Sequence, residues 1–224
     1  MTLNKYQTFI FDCDGVILNS NKIKSDAFHK VALVCGERAA EELLAYHVRN
    51  GGISRYEKFS YFIEVIVPKY SSKVNIPTME ELLQSYATQV KRSLLTCEIA
   101  QGLYQLRKEF PNTTWCVVSG GDQEELRDIF KARKIDNLFD GGVFGSPDNK
   151  YSIMNREIEK GNIVGPAILF GDSRLDHEVA ESFDVDFIFL NKWTEFKEWE
   201  AYCSYNHIHT LKEINCLLEN FLTI

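Results

Sequence analysis

The sequence contains no apolar run that approaches the ~18 residues of a membrane-spanning helix. It also shows no N-terminal basic region followed by an apolar one, and we therefore expect a soluble protein of the cytoplasm. Positive charge is in the minority, with 25 basic residues against 32 acidic ones and a net charge of −7. This balance argues against a nucleic acid or an anionic membrane as the partner, whereas a small anionic substrate responds to the local field.

Paired cysteine motifs are absent as well. The six cysteines form no C-x-x-C pair and have no secretory context, which indicates reduced thiols, several of them in the core. Internal repeats and low-complexity tracts are also lacking. A chain of 224 residues is long enough for one large core, or for a core domain with a smaller insertion.

The most informative stretch of the chain spans residues 8–20. Its apolar run 9–11 is short enough for a buried strand and ends abruptly in Asp12, Asp14 and Gly15. Ligands bind at the carboxyl ends of the strands of a parallel sheet, so both carboxylates are expected at a functional edge. Their like charges repel, and a bound divalent cation would remove that cost. The alternative is an Asp-Gly turn with solvated carboxylates.

The segment that follows carries helix signals and no strand pattern. Four helices are predicted, over 23–34, over 38–47, from Ser54 to a stop at Pro68, and from Thr78 to about 95. The segment has the size of a small inserted domain. We therefore expect a helical cap at 20–96 and a catalytic core made of 1–19 and 97–224, with hinges near 18–21 and 95–98.

Strands and helices alternate in the remainder of the chain. Strands are predicted over 114–118, 142–145, 167–170 and 186–190. Thr210 begins a Thr-x-x-Glu capping pattern, and the final helix is expected to start there. Regular alternation implies a parallel sheet with helices on both faces. The predicted fold class is α/β, with a Rossmann-like parallel sheet core and an inserted α-helical cap domain.

The ends of the core strands carry groups that phosphate chemistry uses. They are Asp12 and Asp14, then Ser119, Gly120 and Gly121, then Lys150, and last Asp172 and Asp176. Lys150 would supply a point charge to a phosphoryl group, while Ser119 and the glycine N–H groups, at a helix N-terminus, would donate hydrogen bonds. Carboxylates offer the hard oxygen ligands that Mg²⁺ takes. Each group alone is common in ordinary turns and surfaces, but their order at successive strand ends indicates a site.

Two of these motifs together resemble a known family. Asp-x-Asp-Gly-Val at Asp12 and Gly-Asp-Ser-x-x-Asp ending at Asp176 are similar to the motifs of the haloacid dehalogenase-like hydrolases. The resemblance extends over about 9–190 and is to the helical-cap subgroup with phosphoglycolate phosphatase and β-phosphoglucomutase. It implies a Mg²⁺-dependent phosphatase that hydrolyses a small-molecule phosphomonoester. The apolar stripe of the aromatic segment 193–205 is expected to pack against the core or to form a dimer contact, so that a monomer and a homodimer both stay open.

The resemblance also implies a role for each motif residue. Asp12 would be the nucleophile that forms an aspartyl-phosphate, and Asp14 would act as general acid and then as the base that activates water. Ser119 and Lys150, with Gly120, would hold the transferring phosphoryl group. The implied metal set comprises Asp12, the backbone carbonyl of Asp14, Asp172 as a direct ligand and Asp176 in support. A carboxylate needs no activation to act as a nucleophile at neutral pH, which agrees with the first role.

The cap leaves alternatives open. Gly-Ile-Ser-Arg ending at Arg55 resembles a cap stretch of β-phosphoglucomutase, where the corresponding arginine binds a second phosphate. Lys24 stands where that mutase has a histidine, which favours a phosphatase over a mutase. A cap cation at Lys24 or Arg55 would suit a substrate with a second anionic group. Asp14 argues against dehalogenation and phosphonate cleavage, because the relatives that catalyse those two reactions lack this second aspartate. His47 is expected to be only a partly exposed side chain, and a non-catalytic binding module remains the alternative outside enzymology.

Overall fold

A computed structural model describes residues 2–70 and 76–221. Its centre is a six-stranded parallel sheet with the strand order β3-β2-β1-β4-β5-β6. The strands are β1 (Thr8–Phe11), β2 (Thr114–Asp122), β3 (Gly142–Ser146), β4 (Ala167–Gly171), β5 (Asp186–Leu190) and β6 (His209–Leu211). The predicted α/β class with a parallel, Rossmann-like sheet is confirmed.

The strand β1 lies in the middle of the sheet and is buried on both faces. Phe9 and Phe11 point to one face, where the ring of Phe11 lies 4.8 Å from that of Trp115 and 5.0 Å from that of Phe170. Ile10 belongs to a separate apolar cluster on the other face. Helices on both sides of a parallel sheet explain why this strand is a continuous apolar run.

Helices surround the sheet and also form the inserted segment. The inserted helices, here called the cap helices, are α1 (Asn21–Ala32), α2 (Glu37–Arg49), α3 (Arg55–Tyr61), α4 (Val67–Tyr70) and α5 (Met79–Leu94). The other helices are α6 (Leu103–Glu109), α7 (Gln123–Ala132), α8 (Lys150–Glu159), α9 (Arg174–Ser182), α10 (Trp199–Tyr205) and α11 (Asn215–Phe221). No strand occurs between α1 and α5 in the described residues, as expected. None of the helices described is long and apolar enough to cross a membrane.

Capping explains where two of the cap helices begin. The hydroxyl of Ser54 accepts a hydrogen bond from the N–H of Glu57 at the start of α3. Thr78 and Glu81 form a reciprocal capping box at the start of α5. Both starts agree with the sequence pattern, because each cap satisfies a backbone N–H that has no partner within the helix.

The prediction that Pro68 ends the third helix is wrong. Helical backbone continues from α3 through a π-helical turn at Phe62–Ile66 into α4, which contains Pro68. The N–H of Val67 bonds to the carbonyl of Phe62, five residues earlier. A proline ring normally meets the carbonyl four residues before it, and the wider π turn displaces that carbonyl, so that helical backbone passes the proline.

The prediction that the last helix starts at Thr210 is also wrong. Thr210 lies in β6 and pairs with Phe189 of β5, and α11 begins later. The N–H of Asn191 donates to the carbonyl of Leu211 at 3.0 Å, which extends this pairing beyond β5. The backbone groups of this segment therefore form hydrogen bonds with the edge of β5, and the Thr-x-x-Glu pattern does not cap a helix here.

The two connections between the sheet and the cap helices run side by side. Leu18 and Ile99 form an antiparallel bridge, the N–H of Asn19 donates to the carbonyl of Glu98 at 2.9 Å, and the N–H of Ala100 donates to the carbonyl of Ile17 at 2.8 Å. These are the places where hinges are expected. The division of the chain into core and cap, and its bending there, stay predictions.

Candidate active site

The end of β1 carries a buried ion pair network. Lys150, the first residue of α8, is 2% exposed, and its Nζ donates to Oδ1 of Asp12 at 2.8 Å. The same ammonium donates to Oδ1 of Asp176. Burial by itself would lower the pKa of Lys150, but the two carboxylates raise it, so that the side chain stays protonated. Residues that are 138 positions apart in the sequence thus meet at one edge of the sheet.

The carboxylates at this edge fit a divalent cation. Ligand oxygens of Asp12, Asp172 and Asp176 all lie within 4.8 Å of one another, and all three residues are buried. Burial raises the pKa of Asp12 to about 7; Lys150 lowers it, and the carboxylates of Asp176 and Asp14 act in the same direction as burial. Burial, together with Asp12 and Asp176, raises the pKa of Asp172 well above its usual range. Since Lys150 is the ammonium that contacts this cluster, a Mg²⁺ ion would supply the missing positive charge with ligands of the type it prefers.

Asp176 holds its position through bonds on both carboxylate oxygens. Oδ1 accepts from Lys150, while Oδ2 accepts from the N–H of Ser173 at 3.1 Å and from its hydroxyl at 2.6 Å. Ser173 and Asp176 form the capping box that begins α9. This arrangement suits the supporting role that the resemblance implies for Asp176, because its oxygens are already engaged.

Asp172 is held by segments that the sequence analysis did not assign to the site. Asn21 Nδ2 donates to Oδ2 of Asp172 at 2.6 Å and to the carbonyl of Trp193 at 2.9 Å, and the hydroxyl of Thr194 donates to the Asp172 carbonyl at 2.6 Å. Gly15 lies against the same carboxylate with a φ of +79°, and a Cβ there would be 2.1 Å from Oδ2. The glycine of the first motif is therefore required both by its backbone conformation and by this contact.

The carboxylate of Asp14 makes contacts different from those of the other three. Its Oδ1 accepts from the hydroxyl of Ser20 at 2.5 Å, and its Oδ2 forms an ion pair with Lys24. Burial would raise the pKa of Asp14, but Lys24 and Ser20 lower it below its usual value. Lys24 is therefore paired with Asp14 in this structure and is not available as a free cation. The implied metal contact of the Asp14 backbone carbonyl stays a prediction.

Ser119, Gly120 and Gly121 lie within the irregular last part of β2, and not at a helix N-terminus as expected. The register between β2 and β3 shifts after Val118, and α7 begins only at Gln123. Ser119 is fully buried, and its hydroxyl accepts a hydrogen bond from the N–H of Gly121 at 3.1 Å. A longer strand explains the difference, because pairing with β3 resumes at Asp122.

A cavity of about 330 Å³ lies between this edge of the sheet and the cap helices. From the sheet side it is lined by Asp12, Asp14, Asp172, Gly120 and Gly121, and from the cap side by Lys24, Phe28, His47, Arg55, Lys58 and Tyr86. Ser119, Lys150 and Asp176, the remaining predicted site residues, are buried. The structure thus brings the predicted residues to one place, and the role of each stays a prediction.

Arg55 lies at the boundary between the cap helices and the sheet. Its guanidinium forms a two-pronged ion pair with Glu125 of α7 and lies 4.9 Å from the centre of the Tyr86 ring. The side chain is 7% exposed. The predicted contact of Arg55 with a distal anion would have to compete with Glu125.

Lys58 and His47 also line the cavity. Lys58 was not predicted as a site residue, and His47 was expected to be only a partly exposed side chain. Lys58 is 3% exposed, and its Nζ lies 2.8 Å from Nδ1 of the partly buried His47. The available signal was the position of Lys58 on α3, where it shares a helix face with the buried Arg55, Phe59 and Phe62. A lysine within such a stripe is unusual, because lysine is almost never fully buried unless it is paired.

Comparisons with known proteins identify the family of the chain. The family described as haloacid dehalogenase-like hydrolase matches residues 9–190. A comparison with curated proteins finds no match.

Several solved structures share the fold. A Lactobacillus plantarum protein assigned as a phosphoglycolate phosphatase is 18% identical, with a TM-score of 0.68, and the match covers 99% of this chain and 100% of that one. CbbY from Rhodobacter sphaeroides, solved with phosphate, is 14% identical with a TM-score of 0.68 and coverage of 95% and 96%. The β-phosphoglucomutase of Clostridium difficile is 18% identical with a TM-score of 0.65 and coverage of 94% and 92%. Because the family match spans most of the chain, the protein belongs to the haloacid dehalogenase-like hydrolases.

Proposed function

We propose that the protein is a Mg²⁺-dependent phosphatase that hydrolyses a small-molecule phosphomonoester through an aspartyl-phosphate on Asp12. One observation carries the proposal. Asp12 lines the cavity at the end of β1, bonded to Lys150 and within 4.8 Å of the carboxylates of Asp172 and Asp176. A nucleophilic carboxylate, a fixed ammonium and a set of metal-ligand oxygens are the groups that phosphoryl transfer requires.

In the first step a carboxylate oxygen of Asp12 attacks phosphorus, and the bond from phosphorus to the ester oxygen breaks. Lys150 holds Oδ1 of Asp12 and so leaves the other oxygen for the attack. The ester oxygen takes a proton as it leaves, a step that the resemblance assigns to Asp14. Splitting hydrolysis in this way replaces one high barrier with two lower ones.

In the second step water attacks the aspartyl-phosphate and phosphate is released. Asp14 accepts the proton of that water, and its bonds to Lys24 and Ser20 favour the ionised form that a base needs. Proton transfer of this kind contributes about 10²–10⁴-fold to the rate. Asp12, the Asp14 carbonyl and Asp172 would hold the Mg²⁺, whose charge offsets that of the phosphoryl group when it is bound. Lys150, Ser119 and the Gly120 N–H are the proposed donors to the phosphoryl oxygens.

The assay is release of p-nitrophenol from p-nitrophenyl phosphate with Mg²⁺. We expect Asp12→Asn to lower kcat by at least about 10³-fold, because the amide cannot form the intermediate. Asp128→Asn changes an exposed aspartate and serves as the matched control with an unchanged rate. Chelation with EDTA should abolish turnover and added Mg²⁺ should restore it. Equal rates for wild type and Asp12→Asn would remove Asp12 from the mechanism and favour the binding-module alternative.

A sugar-phosphate mutase is the second candidate, supported by the Gly-Ile-Ser-Arg stretch at Arg55. The pairing of Lys24 with Asp14 provides an ammonium where the mutase has a histidine, which favours hydrolysis. The two activities are separated by incubating a hexose 1-phosphate with a bisphosphate primer. We expect inorganic phosphate to be released; isomerised sugar phosphate without free phosphate would establish the mutase instead.

A further inference from the structure

The cap side of the cavity presents three buried cationic side chains, Lys24, Arg55 and Lys58, and one exposed one, Arg49. Lys24 is paired with Asp14, and Arg55 with Glu125. Among the described residues, no carboxylate oxygen lies within 4.0 Å of Lys58 Nζ. Lys58 is therefore the buried cation of this wall that lacks an acidic partner in the part of the chain described.

The two side chains next to the Lys58 ammonium, His47 and Phe28, supply no negative charge in place of an acidic partner. Nζ lies 2.8 Å from Nδ1 of His47 and 5.4 Å from the centre of the Phe28 ring. The charged groups that act on it are Lys24, Asp14 and Lys150 from other segments and Glu57 from its own helix. Burial, and then the like charge of Lys24, lower the pKa of Lys58 to about 7, and burial lowers the pKa of His47 well below its usual range. A buried ammonium beside a neutral imidazole is a costly arrangement unless an anion enters the cavity.

We propose that Lys58, assisted by His47, binds a second anionic group of the substrate, so that the enzyme prefers phosphomonoesters that also carry a carboxylate or a second phosphate. This inference rests on the proposed function, since it names the substrate class of the same site. The phosphoryl group to be transferred lies at Asp12, and the second anion lies against the cap wall of the same cavity. His47 completes the pocket as a neutral hydrogen-bonding partner.

Lys58 suits this role better than the two other buried cations of the wall. An anion that bound Arg55 or Lys24 would have to displace or share the carboxylate of Glu125 or of Asp14. The partner of Lys58 is an imidazole, which carries no negative charge to be displaced. An incoming carboxylate or phosphate therefore gains a full charge-assisted hydrogen bond at Lys58 without breaking an ion pair.

The experiment compares matched substrates on wild type and Lys58→Met. 2-Phosphoglycolate is paired with 2-hydroxyethyl phosphate, and glucose 1,6-bisphosphate with glucose 1-phosphate; p-nitrophenyl phosphate has no second anion. We expect Lys58→Met to raise KM at least 10-fold for the doubly anionic member of a pair, and less than 2-fold for the singly anionic esters. The first pair tests a carboxylate and the second tests a phosphate. Lys30→Met, in an exposed cap lysine, is the control and should leave every KM unchanged.

A pH series distinguishes binding from a structural role. In wild type, KM for the doubly anionic substrate should rise between pH 6.5 and 8.5 relative to its singly anionic partner, as Lys58 loses its proton. That rise should be absent in Lys58→Met, with kcat for p-nitrophenyl phosphate retained. No preference in wild type, or an equal loss on all substrates, would overturn the inference while leaving the phosphatase intact. Absence of wild-type turnover on p-nitrophenyl phosphate would instead contradict the proposed function.

Discussion

At the scale of single residues, the site is a concentration of buried charge. Asp12, Lys24, Lys58, Lys150 and Asp172 are each no more than 7% exposed. Charged side chains are almost never buried to this extent unless they are paired, and an unpaired one lowers stability. Lys58 is the member of this group whose charge no carboxylate contacts among the residues described. It is therefore the residue where function and stability should conflict most clearly.

We expect Lys58→Met to stabilise the protein, by about 1–3 kcal/mol at pH 6, because it removes a buried ammonium that has no counter-ion. The gain should depend on pH. Below the folded-state pKa of about 7, Lys58 is charged in the folded and unfolded states alike, and the cost of burying the charge is fully present. Between pH 7 and about 10.4 the unfolded state binds a proton that the folded state does not, so wild-type stability rises with pH. The advantage of the variant should therefore shrink as pH rises.

Thermal or urea unfolding of both proteins at pH 6, 8 and 9.5 measures this difference. Lys30→Met again provides a control, since that side chain is exposed. A variant that is less stable than wild type at pH 6 would show that the Lys58 amine stabilises the fold. The burial of its charge would then not be a stability cost that function imposes.

The sequence allowed part of this site to be anticipated. Acidic residues near strand ends predicted that Asp12, Asp172 and Asp176 would lie at one edge of the sheet. Their oxygens lie within 4.8 Å of one another, because parallel strands end at the same edge, and their roles stay predictions. Lys58 and Asn21 were missed, since their place in the site depends on how the cap helices lie over the sheet. Nothing in the spacing of residues along one helix fixes that arrangement.

At the scale of elements, the first turn of α7 joins the sheet to the cap helices. Asp122 caps α7 by accepting from the N–H of Glu125, and it also accepts from the hydroxyl of Tyr56 at 2.8 Å. Glu125 on the same turn forms the ion pair with Arg55. Two carboxylates at the start of α7 thus bond to two successive residues of α3, which holds α3 against the wall of the cavity.

We expect Glu125→Gln to loosen α3. The amide keeps the shape of the side chain but leaves the charge of the buried Arg55 without its partner, which should lower stability by about 1–3 kcal/mol. Hydrogen exchange of the amides in Arg55–Tyr61 should become faster, while exchange in β1 and β4 changes only with global stability. Glu124→Gln is the matched control, because that carboxylate is 79% exposed and pairs within α7 with Arg127. Unchanged exchange in α3 would show that Arg55 is held by other contacts.

Elements also show the limit of sequence patterns. The strand β5 lies where alternation predicted it, because a short continuous apolar run in an α/β chain is typical of a strand covered by helices on both faces. The three-residue strand β6 was missed, since it is defined by its pairing with β5 and has no periodicity of its own. Thr210 and Pro68 carried signals of helix boundaries, and in both cases the neighbouring backbone overrode them.

At the scale of the whole molecule, the inserted segment contacts the sheet where the turn before α3 meets the end of β2. The backbone carbonyl of Gly52, in the turn before α3, lies so near Gly120 at the end of β2 that a Cβ on Gly120 would be 2.1 Å from it. The φ angle of Gly120 is not in the left-handed region, so the backbone itself would accept another residue. Gly120 is therefore required by the approach of the two segments, which makes it a probe of closure.

We expect Gly120→Ala to hold the cap helices away from the sheet. The new methyl group cannot coexist with the Gly52 carbonyl at this distance, and the paired connections at Asn19 and Glu98 offer a place where the chain can bend. An open cavity admits water and misplaces the cap groups, and displacements of about 1 Å can cost about 10²-fold in rate. We therefore expect kcat/KM for p-nitrophenyl phosphate to fall by about 10²-fold, with a change in Tm of less than about 2 °C.

The matched control for closure is Gly165→Ala, because a Cβ at Gly165 would meet nothing within 4 Å. Hydrogen exchange supplies the second measurement. If the methyl group opens the molecule, amides around Gly52 should exchange faster in Gly120→Ala while those of β1 stay protected, since the sheet does not depend on the cap contact. A variant that keeps both wild-type exchange and wild-type kcat/KM would show that the two segments adjust locally. Closure over the sheet would then have no part in catalysis.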